Sequence, residues 1–313
     1  MKAWMYDKYG KPSNLYLSEI DKPLPDSNQI LVEINAVGIN PIDWKVMDGQ
    51  FRYMVPVKFP AIPVGDFTGK VAGLGTAVKN FKIGDRVCGF SNHIPGRMAA
   101  DFGVVKEKSV SIIPEGVADT AMAGLAGSGI TAYQALYKHG KVSQGKKVLI
   151  IGASGGVGHI AVQLAKAADC QVTAVCSSNN AEFVSSLGAD NALFYNLRQD
   201  LSDYAPYDLI LDCIVSEPLK KMKSLLSVGG TYIALLPGIQ IFLSMFTTLF
   251  SSRRTVKFIS VRMNGDDLHE LVELVRKGKL RINIDSEFKF DQMQDALLRS
   301  ATERARGKII VKY

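Results

Sequence analysis

Four glycines, at positions 152, 155, 156 and 158, separate an apolar run, Val148–Ile151, from an amphipathic stretch that carries Val157, Ile160, Ala161, Leu164 and Ala165. Strand, glycine turn and helix follow one another in the order a dinucleotide-binding fold requires. The chemistry served is anion binding. Glycines let the backbone approach a pyrophosphate, and the helix start offers free N–H groups and a partial positive charge. The spacing is not the usual G-x-G-x-x-G, because Ala153 fills the first glycine slot. A tight β–α turn with no ligand is the competing reading.

The next apolar run, Gln171–Cys176, ends in Ser177, Ser178, Asn179 and Asn180. An NAD site carries Asp or Glu about 20 residues past the glycines, to bind the ribose 2′-hydroxyl. No acid stands between Asp169 and Glu182. Hydroxyls and amides tolerate a 2′-phosphate that a carboxylate repels, so the strand end favours NADPH. The same residues also suit the N-cap of a helix starting at Ala181, and both roles can hold together.

Other chemistries find less support. The four cysteines (Cys88, Cys170, Cys176, Cys213) include no C-x-x-C pair, which argues against a structural zinc lobe or a disulfide framework. The histidines at 93, 139, 159 and 269 fall in unrelated contexts. His159, on the helix after the glycines, reads as structural. The formal net charge of +7 is spread over small groups such as Lys220-Lys221 and Arg253-Arg254. That pattern suits a solvated face that attracts an anionic cofactor and not nucleic acid as the main partner. The N-terminus lacks the apolar core of a signal peptide, and a reducing cytoplasm is the expected compartment. Ile239–Phe250 is strongly apolar and leads into Ser-Ser-Arg-Arg. It is shorter than the ~20 residues that span a bilayer, so it reads as an interface segment or lid, with peripheral membrane contact as the alternative.

The elements that must position these residues divide the chain in two. Up to about residue 118, short β-type runs are punctuated by Gly and Pro, predicting a mostly antiparallel, barrel-like domain. Helices and buried strands then alternate. Strands are expected at 147–152, 171–176, 192–196, 208–214, 230–236 and 255–262, making a doubly wound parallel sheet in an α/β fold. The tail returns to short strands and is expected to rejoin the first domain, giving 1–118 with 263–313, and 119–262.

Several short motifs occur together. They are Gly38–Lys45 (GINPIDWK), Pro60–Gly69 (PAIPVGDFTG), Phe81–Val87 (FKIGDRV), Gly129–Leu136 (GITAYQAL) and Arg306–Val311 (RGKIIV). In this order and spacing the chain resembles the zinc-free quinone oxidoreductase branch of the medium-chain dehydrogenase/reductase superfamily. Within it, the chain is similar to chloroplast-envelope quinone oxidoreductase homologues. The resemblance implies a GroES-like catalytic domain beside a Rossmann domain. Zinc-dependent relatives have Cys where this chain has Asn40, a hydroxyl where it has Ile42, and His-Glu where it has Gly65-Asp66. A catalytic zinc needs three protein ligands, so no metal is expected and alcohol oxidation is disfavoured.

What remains is hydride transfer from NADPH to a quinone or an activated C=C bond (enal or enone). The resemblance implies that Asn40 and Thr131 lie near the nicotinamide. It implies that Ser154, Gly155, Gly156 and Val157 hold the pyrophosphate, and that Ser177, Ser178 and Tyr195 surround the 2′-phosphate. Many relatives carry Lys or Arg where Asn179-Asn180 stands. Lys45 and Tyr53 are candidate donors to a developing enolate or quinol oxygen, and Asp43 is expected to cap local backbone. Thr255–Arg262 reads as an edge strand that pairs with its twin in a homodimer. The reading from another class is a non-catalytic nucleotide-binding or RNA-binding protein.

Overall fold

The computed structural model describes residues 1–91, 93–236, 238, 241, 243–244 and 254–313. The chain forms two compact units, Met1–Ile130 with Met263–Tyr313, and Thr131–Arg262.

In the first unit, β1 (Lys2–Met5) and β2 (Tyr16–Glu19) form a two-stranded antiparallel sheet. The main sheet is built on β3 (Gln29–Ile39), whose β-branched, buried residues suit a central strand. Along one edge it pairs with β4 (Asp66–Leu74). The other edge is shared: residues 29–33 pair with β6 (Phe102–Lys106), and residues 36–39 with β15 (Lys308–Lys312). β5 (Arg86–Phe90) and β7 (Val110–Ile112) continue beyond β4, and β14 (Ile284–Lys289) lies parallel to β15. The ladder runs from β14 to β7 with no closing pair among the described residues, where the sequence suggested a barrel. The C-terminal strand thus enters the sheet of the N-terminal strands, as the tail pattern predicted.

Three helices finish this unit's layers: α1 (Pro41–Met47), α6 (Gly265–Arg276) and α7 (Met293–Ala301). Helix α2 (Asp119–Tyr133) contains the junction between the units. Phe67, Val37, Met47, Met98 and Leu297 are fully buried in one core cluster. The backbones approach closely where glycine allows it. A Cβ at Gly38 would lie 2.1 Å from the Ala123 carbonyl oxygen, and one at Gly69 would lie 2.0 Å from that of Glu33.

In the second unit, six parallel strands take the order β10 (Asn191–Phe194), β9 (Gln171–Cys176), β8 (Lys147–Ile151), β11 (Tyr207–Asp212), β12 (Leu226–Ala234) and β13 (Thr255–Phe258). In chain order this is third, second, first, fourth, fifth, sixth, the order of a dinucleotide-binding sheet. Helix α3 (Gly158–Ala167) follows β8 and buries Ile160, Ala161, Leu164 and Ala165 as its periodicity required. α4 (Ala181–Ser186) and α5 (Leu219–Ser224) follow β9 and β11. β13 is the sheet's last strand, and shorter than the run Thr255–Arg262 suggested. The apolar segment Ile239–Phe250 lies outside the described residues, except for Ile241, Leu243 and Ser244. Among the described residues no helix is long and apolar enough to cross a membrane.

The β3–β4 contact gives a stability test. Gly69→Ala forces a methyl into the Glu33 carbonyl and is expected to cost about 1–3 kcal/mol. Gly73→Ala, whose Cβ would sit 3.4 Å from Leu31, is expected to cost less than about 1 kcal/mol. Urea unfolding of both variants checks this; equal costs would refute it.

Candidate active site

Parallel pairing aligns the carboxyl ends of four strands in the second unit. Ile151 pairs with Val175 and with Asp212, and Cys176 pairs with Phe194. Ligands of such sheets bind outside these ends, where the strand order reverses. Here the reversal falls between β8 and β11, and the glycine turn leaves β8 at that point. Gly152 takes φ +78°, and its N–H and that of Ala153 both donate to the Val175 carbonyl, each at 3.0 Å. A Cβ at Gly158 would meet the Gly152 oxygen at 2.2 Å, so only glycine lets α3 start this close to the turn. A Cβ at Gly155 would meet just that same oxygen, at 3.4 Å, and otherwise opens into free space. That open face beside the first turn of a ten-residue helix fits a pyrophosphate. His159 is fully buried and its Nδ1 bonds the Gly155 carbonyl at 2.9 Å, a structural role as expected.

The segments that follow β9 and β10 lie at the same edge. Asn180 Nδ2 donates to Ser154 Oγ at 3.0 Å, tying the glycine turn to the segment after β9. Ser178 N–H donates to Asn196 Oδ1 at 2.8 Å, and Asn196 Nδ2 donates back to Ser178 Oγ at 2.9 Å. This pair joins the loop after β9 to the loop after β10, where Tyr195 stands half exposed. Sequence reasoning missed Asn196. Its signal was its place beside Tyr195, the position the resemblance had already marked. Thr131 lies in α2, as the first residue of the second unit.

In the first unit, Asn40 follows β3 and precedes α1. Its backbone N–H donates to Asp43 Oδ2 at 2.7 Å, so Asp43 caps the helix as predicted. The Asn40 side chain turns inward: Oδ1 accepts from Lys308 Nζ, and from Ser128 Oγ at 3.3 Å. Lys308 Nζ also donates to Ser128 Oγ at 3.2 Å and to Asp66 Oδ2 at 3.3 Å. Asp66 Oδ1 takes the Gly127 N–H at 2.9 Å. Lys308 is 2 % exposed and Asp66 0 %, so an ion pair and two polar side chains form one dry cluster. Burial raises the Asp66 carboxyl above its ordinary range, and the Lys308 ammonium opposes that rise. Burial also pushes Asp43 up to about 7, against the backbone N–H bonds it accepts from Asn40 and Gly65.

Lys308 was not found from the sequence. It opens an apolar closing strand, and only a charged residue at a core position could have marked it. Lys45 lies on α1, the helix that Asn40 precedes, but pairs with Glu303 at 2.9 Å. Tyr53 is 88 % exposed and accepts a bond from Arg52 at 2.9 Å. A small cavity of about 30 Å³ is lined by Ile42, Asp43, Val46, Gly65, Phe90 and His93, among others. Its Ile42 wall carries no hydroxyl to relay a proton. The residues at the zinc positions do not fit the metal. Asn40, Gly65 and Asp66 supply no thiolate or imidazole, and the ammonium bonded to Asn40 and Asp66 repels a divalent cation.

A unit with a parallel sheet in dinucleotide-binding order, and a β-rich unit built from both chain ends, together make the fold class of the two-domain dehydrogenases. Comparison with known proteins agrees. Residues 26–144 match the family model of the alcohol dehydrogenase GroES-like domain, and residues 187–311 that of the zinc-binding dehydrogenases. A chloroplastic quinone-oxidoreductase, QR1, from Triphysaria versicolor is 37% identical over 100% of this chain and 98% of its own. A trans-enoyl reductase, pgmF, from Aspergillus terreus is 31% identical over 100% of this chain and 96% of its own. The solved structure of a quinone oxidoreductase from Coxiella burnetii has a TM-score of 0.90 at 30% identity, over 100% of this chain and 99% of its own. The chain belongs to the medium-chain dehydrogenase/reductase superfamily, an oxidoreductase family, with the quinone oxidoreductases as its relatives.

The elevated Asp43 carboxyl has a consequence for stability. Between the ordinary 3.8 and about 7 the folded chain keeps a proton that the unfolded chain has released. Stability from this group is therefore full below that window and lost as pH rises through it. Asp43→Asn removes the titration. The melting temperature of the parent minus that of the variant should fall from pH 4 to pH 7 and level off above. A flat difference across this range would show that Asp43 does not hold the proton.

Proposed function

We propose that this chain is an NADPH-dependent reductase that delivers hydride, without zinc, to a quinone or to the activated C=C bond of an enal or enone. The observation that carries the reading is the pairing of an intact glycine turn with a first-unit site whose zinc positions hold Asn40 and an ammonium-paired Asp66. With neither a Lewis acid nor a hydroxyl at position 42, the acceptor must be one that takes hydride readily. The relatives named for quinone and trans-enoyl reduction support both acceptor classes. When bound, the dihydronicotinamide supplies the hydride. This chain's residues then bind and orient. Ser154, Gly155, Gly156 and Val157 face the pyrophosphate with backbone N–H groups and a helix start. Ser177, Ser178 and Tyr195 receive the 2′-phosphate with hydroxyls, held in register by Asn196. Asn40 and Thr131 serve the nicotinamide end. Asn40 is buried, with its amide oxygen held by Lys308 and Ser128. Lys45 is engaged with Glu303, and Tyr53 is exposed.

The reading includes a homodimer paired through β13, the last strand of the sheet among the described residues. Sedimentation showing a monomer at micromolar concentration would remove that part and leave the chemistry standing.

NADPH oxidation with a small quinone and an enal panel tests the activity. Turnover is expected with at least one acceptor, undiminished after dialysis against chelator. Tight NADPH binding with no turnover on either class would favour the non-catalytic nucleotide-binding reading. For cofactor choice, Ser177→Asp places a carboxylate against the 2′-phosphate. It is expected to weaken NADPH about tenfold, on the order of 1.4 kcal/mol, while NADH changes little. A variant that loses both cofactors equally would refute the placement of the 2′-phosphate at this strand end.

A further inference from the structure

We propose that Arg198 is the cation of the cofactor edge: its guanidinium takes the 2′-phosphate of NADPH and so sets the preference for NADPH over NADH. The inference rests on the NADPH reading and deepens it, by naming the charged residue that reading lacks. Every residue involved belongs to the second unit.

The distribution of charge carries the argument. A phosphate monoester brings about −1.5 to −2 charges at neutral pH. Ser177, Ser178, Asn179 and Asn180 offer hydroxyls and amides but no cation. The segments that leave the carboxyl ends of β8, β9, β10 and β11 are 152–157, 177–180, 195–206 and 213–218. Arg198 is the one Lys or Arg in all four. The next cations along the chain in either direction are Lys166 and Lys220. Lys166 is engaged with Asp190 at 2.8 Å. Lys220 lies on α5 and lines a cleft with Lys223 and Arg254.

The local structure holds Arg198 beside the proposed 2′-phosphate residues. Tyr195–Leu197 forms one 3-10 turn, and the Arg198 N–H closes it by donating to the Tyr195 carbonyl at 3.2 Å. Asn196 in the same turn is bonded in both directions to Ser178. The backbone of Arg198 is thus fixed one turn from Tyr195 and two residues from the clamp on the segment after β9. Its conformation is left-handed, φ +54° and ψ +33°. Glycine adopts that region freely, whereas a residue with a Cβ is penalised. Local contacts do not offset this. The side chain is exposed, and among the described residues its guanidinium makes no hydrogen bond or ion pair. Asp200, two residues on, instead accepts the Ser202 N–H at 3.0 Å. An unengaged planar fork of N–H donors matches phosphate oxygens two at a time.

The test is a set of equilibrium titrations with NADPH, NADH, 2′,5′-ADP and 5′-AMP, which need no turnover and so stand apart from the reductase assay. The parent is expected to bind NADPH more tightly than NADH, and 2′,5′-ADP more tightly than 5′-AMP. Arg198→Gln is expected to weaken NADPH and 2′,5′-ADP about tenfold and to leave NADH and 5′-AMP within about twofold. Arg198→Lys keeps the charge without the fork and should fall between. Arg198→Gly suits the left-handed turn, so it should show the Arg198→Gln loss while melting no lower than the parent. A parent that prefers NADPH, with an Arg198→Gln variant that keeps the preference, would overturn the proposal and leave the NADPH reading standing. A parent with no preference would remove both. Equal weakening of NADPH and NADH would also overturn the proposal, as would a marked drop in the melting temperature of Arg198→Gly, because Arg198 would then shape the edge and not bind the phosphate.

Discussion

One buried ammonium organises the first unit. Removing an ion from water costs several kcal/mol unless partners compensate it. Lys308, 2 % exposed, therefore constrains every segment that supplies a partner. Asp66 opens β4, Asn40 follows the end of β3, Ser128 lies on α2, and Lys308 itself opens β15. These positions span 268 residues of chain between Asn40 and Lys308. The C-terminal strand must return to β3, where Ile309 pairs with Ile39, for the charge to be neutralised. The same pairing sets the register that brings the ammonium under Asn40. Packing and electrostatics here are one constraint, met at four places.

The second unit solves a different problem with backbone alone. Its sheet order places the carboxyl ends of β8, β9, β10 and β11 along one edge, and the loops that leave those ends carry glycine, hydroxyl and amide groups. Gly152 and Gly158 bring the turn and helix together at distances that admit no Cβ. The loops after β9 and β10 are bound to each other through Ser178 and Asn196 in both directions. The edge is thus ordered by its own hydrogen bonds. It presents N–H groups, a helix start and neutral polar side chains.

A match to a family model named for zinc-binding dehydrogenases stands with a site whose Asn40, Gly65 and Asp66 offer no thiolate or imidazole. The two facts are compatible because the fold is specified by sheet pairing and glycine contacts, which do not involve the metal. At Asn40 and Asp66 the chain has an amide and a carboxylate, both bonded to a resident ammonium. A charge of the same sign as the metal is supplied by the chain itself, buried behind Asn40 and not exposed to a ligand.

The sequence by itself determined the two architectures, the strand–turn–helix at 147–167 and the residue types at 40, 65 and 177–178 from which the cofactor and metal readings are drawn. Each of these is local: a periodicity, a glycine spacing or a residue type at a motif position. The capping of α1 by Asp43 and the structural role of His159 were legible for the same reason. Boundaries were less so. The last strand stops at Phe258, and the first sheet has no closing pair among its described residues, because strand ends depend on which neighbour is available to pair. Tertiary structure alone decided the partners of Lys308, the pairing of Asn196 with Ser178, and the engagement of Lys45 by Glu303. Lys308 looks from the sequence like a basic residue at the start of a strand. Only the antiparallel return of β15 onto β3 turns it into a buried charge. Contacts made across hundreds of residues leave no periodic trace, since the sequence shows which groups need partners and the fold alone shows which partners they find.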